Sequence, residues 1–211
     1  AGEVIERPVS VAKELLENAI DSGADAIQVL VAQGGRRLVQ VVDNGCGIPA
    51  AEVPLAFSRH ATSKLASAEE LYTVRTLGFR GEALASIGAV SRLSLATRAR
   101  GEELGTLIRM EGGLLGQPEA QGRPFGTSVE VENLFFNTPA RLKFLRDDTT
   151  ESGHIARLAS SYALAYPEVR FTLHNNGREV LRTTGTGSLY DVLVDVYGLD
   201  VAEGMLPIEA T

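Results

Sequence analysis

Glu14 and Asn18 stand four residues apart in a segment whose apolar residues recur at helical spacing. Residues i and i+4 of a helix lie on one face, so both side chains would point the same way. A carboxylate there could orient or deprotonate water. The amide beside it could coordinate Mg²⁺, which needs few protein ligands when phosphates and water supply the rest. The alternative interpretation is a solvated polar face.

Asp43 ends an apolar stretch and is followed by glycines at alternate positions, Gly45 and Gly47. Glycines allow a backbone to lie close against a flat ligand. The carboxylate could accept a hydrogen bond from an exocyclic amino group such as that of adenine, and an analogue without that group would leave it unpaired. An Asp in this position can also be a turn former and nothing more.

A third candidate is the string Gly78-Phe79-Arg80-Gly81, which precedes a predicted helix. Glycines expose backbone N–H groups, and the positive end of a following helix attracts anions, so this segment could bind phosphate. Lys64 and Arg80 could offset the phosphate charge, although either could be a solvated surface cation. The spacing matches neither a Walker loop nor a dinucleotide fingerprint.

The first of these candidates lies on a helix that is simple to place. Pro8 suits the first helical position, apolar residues recur from Val11 to Ile20, and Gly23 would end the helix. The segments 27–31 and 37–42 are typical of paired strands. The second leads directly into residues 43–47, which form a tight, glycine-rich corner. The helix and the corner are therefore expected to carry the chemistry together.

The long connection 58–81 is predicted to hold a short helix capped by Ser67 and Glu70, and connections of this length often form lids. Helical patterns also occupy 49–59 and 82–90. The other predicted elements are strands at 91–98, 105–110, 127–134, 169–175, 178–183 and 206–208, and helices from 139, at 151–165 and at 188–197. The predicted fold class is α+β, with helices packed on one face of a mixed, mostly antiparallel sheet.

Composition narrows the function further. The 211 residues carry a formal net charge of −7, so any binding to DNA should be weak, nonspecific and dependent on salt. The single Cys46 cannot form an internal disulfide, which favours a cytoplasmic protein. No apolar run reaches the roughly 20 residues of a membrane helix, and the three histidines lack metal-ligand spacing.

The motif order resembles that of a known ATPase superfamily. Glu14-x-x-x-Asn18, Asp43-x-Gly45-x-Gly47, Gly78-x-x-Gly81 and Gly126-Thr127 look like the signature shared by type II topoisomerases, heat-shock chaperones, histidine kinases and MutL. Longer strings are similar to the MutL family of DNA mismatch repair proteins in particular. These strings are 2–8, 43–48, 59–64, 78–84 and 136–141, and the likeness runs over nearly the whole chain.

The resemblance implies a role for each motif. Glu14 matches the general base for the attacking water, Asn18 the Mg²⁺ ligand, and Asp43 the adenine-binding carboxylate. Gly47 would lie beside the adenine base, Thr127 would support this contact, and Gly45 would also belong to the ATP-binding residues. The lid over the triphosphate would comprise Thr62, Ser63, Lys64, Gly78, Phe79, Arg80, Gly81, Glu82, Ala83 and Leu84.

The resemblance also implies a Bergerat-type α/β sandwich that binds ATP with Mg²⁺ and hydrolyses it slowly. Residues 1–187 would be the ATP-binding domain, and 188–211 the start of a truncated second domain of ribosomal S5-like fold. In the family, the second domain delivers a lysine to the γ-phosphate, and a further N-terminal stretch helps dimerisation. The sequence is expected to lack this stretch and most of the second domain. We therefore expect this chain to be monomeric and to keep binding better than hydrolysis.

The implied partners belong to the longer family proteins. They are a mismatch-recognition protein, other repair factors, DNA, and a second copy when ATP is bound. Two alternatives stay open, another ATPase of the same superfamily and a nucleotide-gated scaffold with negligible hydrolysis. A histidine kinase is less favoured, because the sequence contains no helical hairpin of the phosphoacceptor type.

Overall fold

The computed structural model of the protein describes residues 5–58 and 82–205. Helix α1, Pro8–Asp21, begins where Pro8 occupies its first position, since proline has the required φ and its missing N–H is not needed there. Val11 and Leu16 of this helix are fully buried. The helix ends at Ser22, and Gly23 then turns the chain with a φ of +72°.

The sheet is mixed and mostly antiparallel, as predicted. Its strands run in the order β5-β4-β3-β7-β2-β1-β8-β9, with β6 also paired to β4, and among the described strands only β1 and β8 pair in parallel. The strands are β1 Ala26–Ala32, β2 Leu38–Asp43, β3 Arg92–Arg98, β4 Gly105–Glu111, β5 Leu114–Leu115, β6 Glu119–Gln121, β7 Gly126–Glu132, β8 Arg170–Asn175 and β9 Arg178–Arg182.

The helices cover one face of this sheet, which confirms the predicted fold class. Alternate strand residues such as Val41 and Leu95 form one core with Leu16 of α1 and Ile155, while Gln40 on the other face is only partly buried. The remaining helices are α2 Ala83–Gly88, α3 Pro139–Phe144, α4 Asp148–Ala165, α5 Leu189–Tyr197 and α6 Leu199–Glu203.

Several local predictions were wrong. Residues 49–58 of the helix predicted at 49–59 do not form an α-helix: turns lead into one 3-10 turn at Leu55–Phe57, consistent with Pro54, which cannot donate a helical hydrogen bond. Strands β5 and β6 are short and exposed, and no alternating pattern indicated them. Helix α3 begins at Pro139 as predicted, and the side chain of the preceding Thr138 makes no capping hydrogen bond. The predicted short helix in 58–81 and the strand at 206–208 lie outside the described residues.

The predicted boundary at residue 188 coincides with the start of α5. The hydroxyl of Ser188 caps this helix by accepting a hydrogen bond from the backbone N of Asp191 at 3.2 Å. Helix α5 packs against α4 and β9, and Val192 belongs to the common core. That a second domain begins here stays a prediction. Over the described residues, no helix is both long and apolar enough to cross a membrane.

Candidate functional site

The C-terminal end of α1 lies against the corner that follows β2. The hydroxyl of Ser22 donates to the Ala19 carbonyl at 2.7 Å and lies 3.4 Å from Oδ1 of Asp43. The Ser22 carbonyl accepts the backbone N–H of Cys46 at 3.0 Å. Gly45 packs so closely here that a Cβ atom would lie 1.8 Å from the Ser22 hydroxyl oxygen. Gly45 therefore joins the corner to the helix.

Glu14, Asn18 and Ser22 follow one another at intervals of four residues along α1. At a rise of about 1.5 Å per residue, Asn18 and Glu14 lie about 6 and 12 Å along the axis from Ser22. Since Ser22 contacts Asp43, the structure brings three of the predicted site residues into one row. Such a row suits an elongated ligand, with a hydrogen-bonding group at the Asp43 end and a charged group near Glu14.

The carboxylate of Asp43 is held through one of its two oxygens. Oδ1 accepts hydrogen bonds from the backbone N–H groups of Gly45 at 2.9 Å and Thr127 at 3.2 Å, besides its contact with Ser22. Burial raises the pKa of Asp43, while these hydrogen bonds and the charge of Arg123 act to lower it. No described residue donates to Oδ2, so this oxygen keeps its capacity to accept a hydrogen bond.

Two glycines allow strands to approach the corner at short range. Gly47 has a φ of +72°, and a Cβ there would lie 2.2 Å from the carbonyl oxygen of Arg98. Gly126 has a φ of +103°, and its Cβ would lie 2.1 Å from the carbonyl oxygen of Asp43. Both positions thus require glycine for conformation and for space.

A row of polar residues crosses the sheet from Asp43. In the strand register Asp43 of β2 is opposite Thr127 of β7, Thr127 is opposite Thr97 of β3, and Thr97 is opposite Thr106 of β4. The three threonines are buried. Thr97 and Thr106 were not predicted as site residues. The sequence signal for Thr97 is a polar residue on the strand face that carries Leu95.

Arg123 is a second residue that the sequence did not indicate. Its carbonyl accepts from Nη1 of Arg98 at 2.8 Å, and the Arg98 guanidinium lies 4.3 Å from the ring centre of Phe125. Burial lowers the pKa of Arg123, and the charge of Asp43 opposes this change. Nη1 of Arg123 is buried and has no hydrogen-bond partner among the residues that the structure describes. A positive charge therefore stands near the Asp43 carboxylate.

Glu17, next to Asn18, is directed toward α4 instead of the row. Its Oε1 accepts the hydroxyl of Tyr162 at 2.8 Å and lies 3.2 Å from Nζ of Lys13. Burial and the hydrogen bond to Glu17 raise the pKa of Tyr162. Nζ of Lys13 also lies 3.8 Å from Oε1 of Glu14. The two glutamates of α1 thus have different surroundings, and Lys13 connects them.

The other predicted site residues belong to the proposed lid. Glu82 immediately precedes α2, and Ala83 and Leu84 form its first turn. Leu84 packs partly against the core. The rest of the set lies outside the described residues: Thr62, Ser63, Lys64, Gly78, Phe79, Arg80 and Gly81.

This fold and motif order define an ATPase of the class that includes histidine kinases, DNA gyrase B and HSP90. The family model described as histidine kinase-, DNA gyrase B- and HSP90-like ATPase matches residues 3–110. The solved Aquifex aeolicus MutL ATPase domain complexed with ADP superimposes with a TM-score of 0.74 at 36% sequence identity. That match covers 92% of this chain and 70% of the Aquifex chain. The chain belongs to the MutL family of DNA mismatch repair proteins.

Curated relatives agree with this placement. The DNA mismatch repair proteins MutL of Streptococcus mutans and Desulforudis audaxviator are each 50% identical to it over 208 residues, or 99% of this chain. The match covers 32% and 37% of these two relatives, so the chain spans about a third of their length.

Proposed function

We propose that the chain binds ATP with adenine at Asp43 and the triphosphate along α1 toward Asn18 and Glu14. The observation that carries this proposal is the Asp43 carboxylate, whose Oδ1 is held by two backbone N–H groups while no described residue donates to Oδ2. Oδ2 can then accept the exocyclic amino group of adenine. The ADP complex of the Aquifex relative supports the assignment.

Hydrolysis would begin at the other end of the row. The Glu14 carboxylate accepts a proton from water, the water oxygen attacks the γ-phosphorus, and the bond to the β,γ-bridging oxygen breaks to release ADP and phosphate. Asn18 offers one neutral amide oxygen on the partly exposed side of α1. An amide oxygen is a suitable ligand for Mg²⁺. The ion would take its other ligands from the phosphates and water, and it would offset the phosphate charge.

The predicted lid would complete the site. Residues 62–64 and 78–84 would close over the triphosphate, with Lys64 and Arg80 offsetting its charge. In the longer proteins of the family, we propose that closure promotes dimerisation and engagement of DNA and repair partners. For these 211 residues alone, we propose nucleotide binding with slow turnover.

Calorimetric titration with ATP and ADP, each with and without Mg²⁺, tests the binding proposal directly. We expect saturable binding of both nucleotides, and tighter ATP binding when Mg²⁺ is present. Absence of binding under all four conditions would exclude the proposed site. A phosphate-release assay on the same protein separates an ATPase from a scaffold that binds without turnover.

A further inference from the structure

The hydroxyl of Thr97 lies between the glycine corner and β7. Its Oγ1 accepts the backbone N–H of Ile48 at 2.8 Å, lies 3.0 Å from Oγ1 of Thr127, and lies 3.3 Å from the carbonyl oxygen of Gly126. Thr97 is fully buried, so water does not replace these contacts. A hydroxyl has one proton to donate and two lone pairs. Ile48 occupies one lone pair, because an N–H can only donate.

The Thr97 proton has two acceptors within reach. The contact with Thr127 is shorter than that with the Gly126 carbonyl, 3.0 Å against 3.3 Å. If Thr97 donates to Thr127, the hydroxyl proton of Thr127 is left to donate elsewhere. Thr127 is opposite Asp43 in the register, and its backbone N–H holds Oδ1 of that residue. Its hydroxyl would then be a hydrogen-bond donor next to the Asp43 carboxylate, where adenine is proposed to bind.

We propose that Thr97 is a positioning residue that makes the Thr127 hydroxyl a hydrogen-bond donor to N1 of adenine. The inference rests on the proposed function, because it places the base at Asp43. The hydrogen bonds run in one direction, from the Ile48 N–H through the Thr97 and Thr127 hydroxyls to the ligand. Thr97 touches the nucleotide at no point and acts through Thr127.

This arrangement fits one purine. Adenine presents an amino donor beside an acceptor nitrogen, which match the acceptor Asp43 and the donor Thr127. Guanine presents a carbonyl acceptor beside an N–H donor, so both contacts would be opposed. A site built to pair polar groups strongly rejects a ligand that leaves them unpaired. The hydroxyl pair thus extends the adenine specificity that Asp43 alone would give.

The test compares ATP with 1-deaza-ATP, in which a C–H group replaces N1 and the amino group is retained. Because one hydrogen bond is at stake, we expect the parent protein to bind ATP about tenfold more tightly than 1-deaza-ATP. Thr97→Val keeps nearly the shape of threonine without the hydroxyl. In this variant the gap between the affinities for ATP and 1-deaza-ATP should shrink to about twofold. Thr97→Ser retains the hydroxyl and should keep the gap of the parent protein.

The ratio of the two affinities is the decisive quantity. Thr97→Val also leaves the Ile48 N–H unpaired, which would weaken both nucleotides alike and leave the ratio unchanged. The preference for ATP over GTP, measured in parallel, should become smaller in Thr97→Val but persist, because Asp43 still opposes the guanine carbonyl. Circular dichroism and thermal melting establish that each variant is folded. If Thr97→Val does not fold, Thr97→Cys takes its place, since a thiol is a weak donor of similar size.

Each outcome separates the inference from the proposed function. A parent protein that binds neither nucleotide contradicts the proposed function itself. The Thr97 inference is overturned if the parent binds ATP without preferring it to 1-deaza-ATP. It is also overturned if the folded Val or Cys variant keeps the full gap, or if Thr97→Ser loses it.

Discussion

Ser22 ends α1 with its hydroxyl 3.4 Å from Oδ1 of Asp43, at the end of β2. The contact joins the helix that carries Glu14 and Asn18 to the Asp43 carboxylate of the proposed adenine site. Together with the hydrogen bond from the Cys46 N–H to the Ser22 carbonyl, it connects the two halves of the site. The distance along α1 from Ser22 to Glu14, about 12 Å, is therefore a fixed property of the site.

Replacing Asp43 with Asn should separate binding from stability. The Asn oxygen can still accept from the Gly45 and Thr127 backbone, but an amide donor would now face the adenine amino group. We expect ATP binding to be lost in calorimetry while the fold is retained. The exposed Asp25, whose carboxylate accepts from Asn44 at 2.7 Å, provides the control, and Asp25→Asn should keep ATP affinity.

The same variant has a defined pH dependence. Burial raises the pKa of Asp43 above its ordinary value of 3.8, so ionisation of Asp43 destabilises the folded state as pH rises through the folded pKa. Asp43→Asn removes this effect and should melt higher than the parent protein at pH 7. The advantage should vanish below pH 3.8, where Asp43 is protonated in both states. Equal melting temperatures at pH 7 would contradict the prediction.

Glu14→Gln should affect turnover and spare binding. An amide cannot accept the proton of the attacking water, and loss of a general base typically lowers the rate about 10²- to 10⁴-fold. Phosphate release measures the rate, and calorimetry should give an ATP affinity within about twofold of the parent protein. Glu168→Gln, an exposed site between α4 and β8, is the control. Equal hydrolysis by parent and Glu14→Gln would refute the general-base role.

The parts of the site that sequence could predict are local. Glu14 and Asn18 share one helical face, and Asp43 with its two following glycines ends a strand, so each pattern fits within a few residues. The structure confirms the helix, the strand and their meeting at the corner. The roles of these residues, and the lid, stay predictions.

The parts that sequence could not predict depend on strand pairing. Thr97 and Thr127 are 30 residues apart, and Thr127 contacts Asp43 from 84 residues away. The register of β3, β7 and β2 brings these three residues together. The mistaken helix at 49–59 has the opposite origin, because its local apolar spacing was outweighed by Pro54.

Gly47→Ala and Gly23→Ala form a matched pair. Both glycines have a φ of +72°, but a Cβ at Gly23 has no atom within 4 Å, whereas one at Gly47 would lie 2.2 Å from the Arg98 carbonyl oxygen. Each substitution should cost about 1 kcal/mol for the left-handed backbone. Gly47→Ala should lose about 2 kcal/mol more, because the corner must move away from β3.

Urea unfolding gives the two stabilities, and calorimetry gives the ATP affinities. Gly23→Ala should bind ATP as the parent protein does. Gly47→Ala should bind at least about tenfold more weakly, because displacement of the corner also disturbs the hydrogen bond from Ile48 to Thr97. Equal unfolding free energies for the two variants would show that the approach of Gly47 to β3 is unimportant.

The ion pair between Arg7 and Glu151 should contribute strongly to stability. Nη2 of Arg7, the residue before α1, lies 2.8 Å from Oε1 of Glu151 in α4, whose side chain is 0% exposed. Arg7→Met would leave that carboxylate buried, and among the described residues its remaining donor would be the backbone N–H of Arg146 at 3.0 Å. Removing one partner of a buried pair costs about 3–5 kcal/mol, and we expect the lower end because Arg7 is partly exposed.

Two further variants identify the cause of the Arg7→Met loss. Arg7→Met combined with Glu151→Gln should recover most of the lost free energy of unfolding, because no buried charge remains. Arg109→Met breaks the exposed pair with Glu119, 3.2 Å apart on β4 and β6, and should cost at most about 1 kcal/mol. Similar losses for Arg7→Met and Arg109→Met in urea unfolding would show that burial of Glu151 does not make the difference. A double variant no more stable than Arg7→Met would show that packing of the Arg7 side chain, and not its charge, holds α1 against α4.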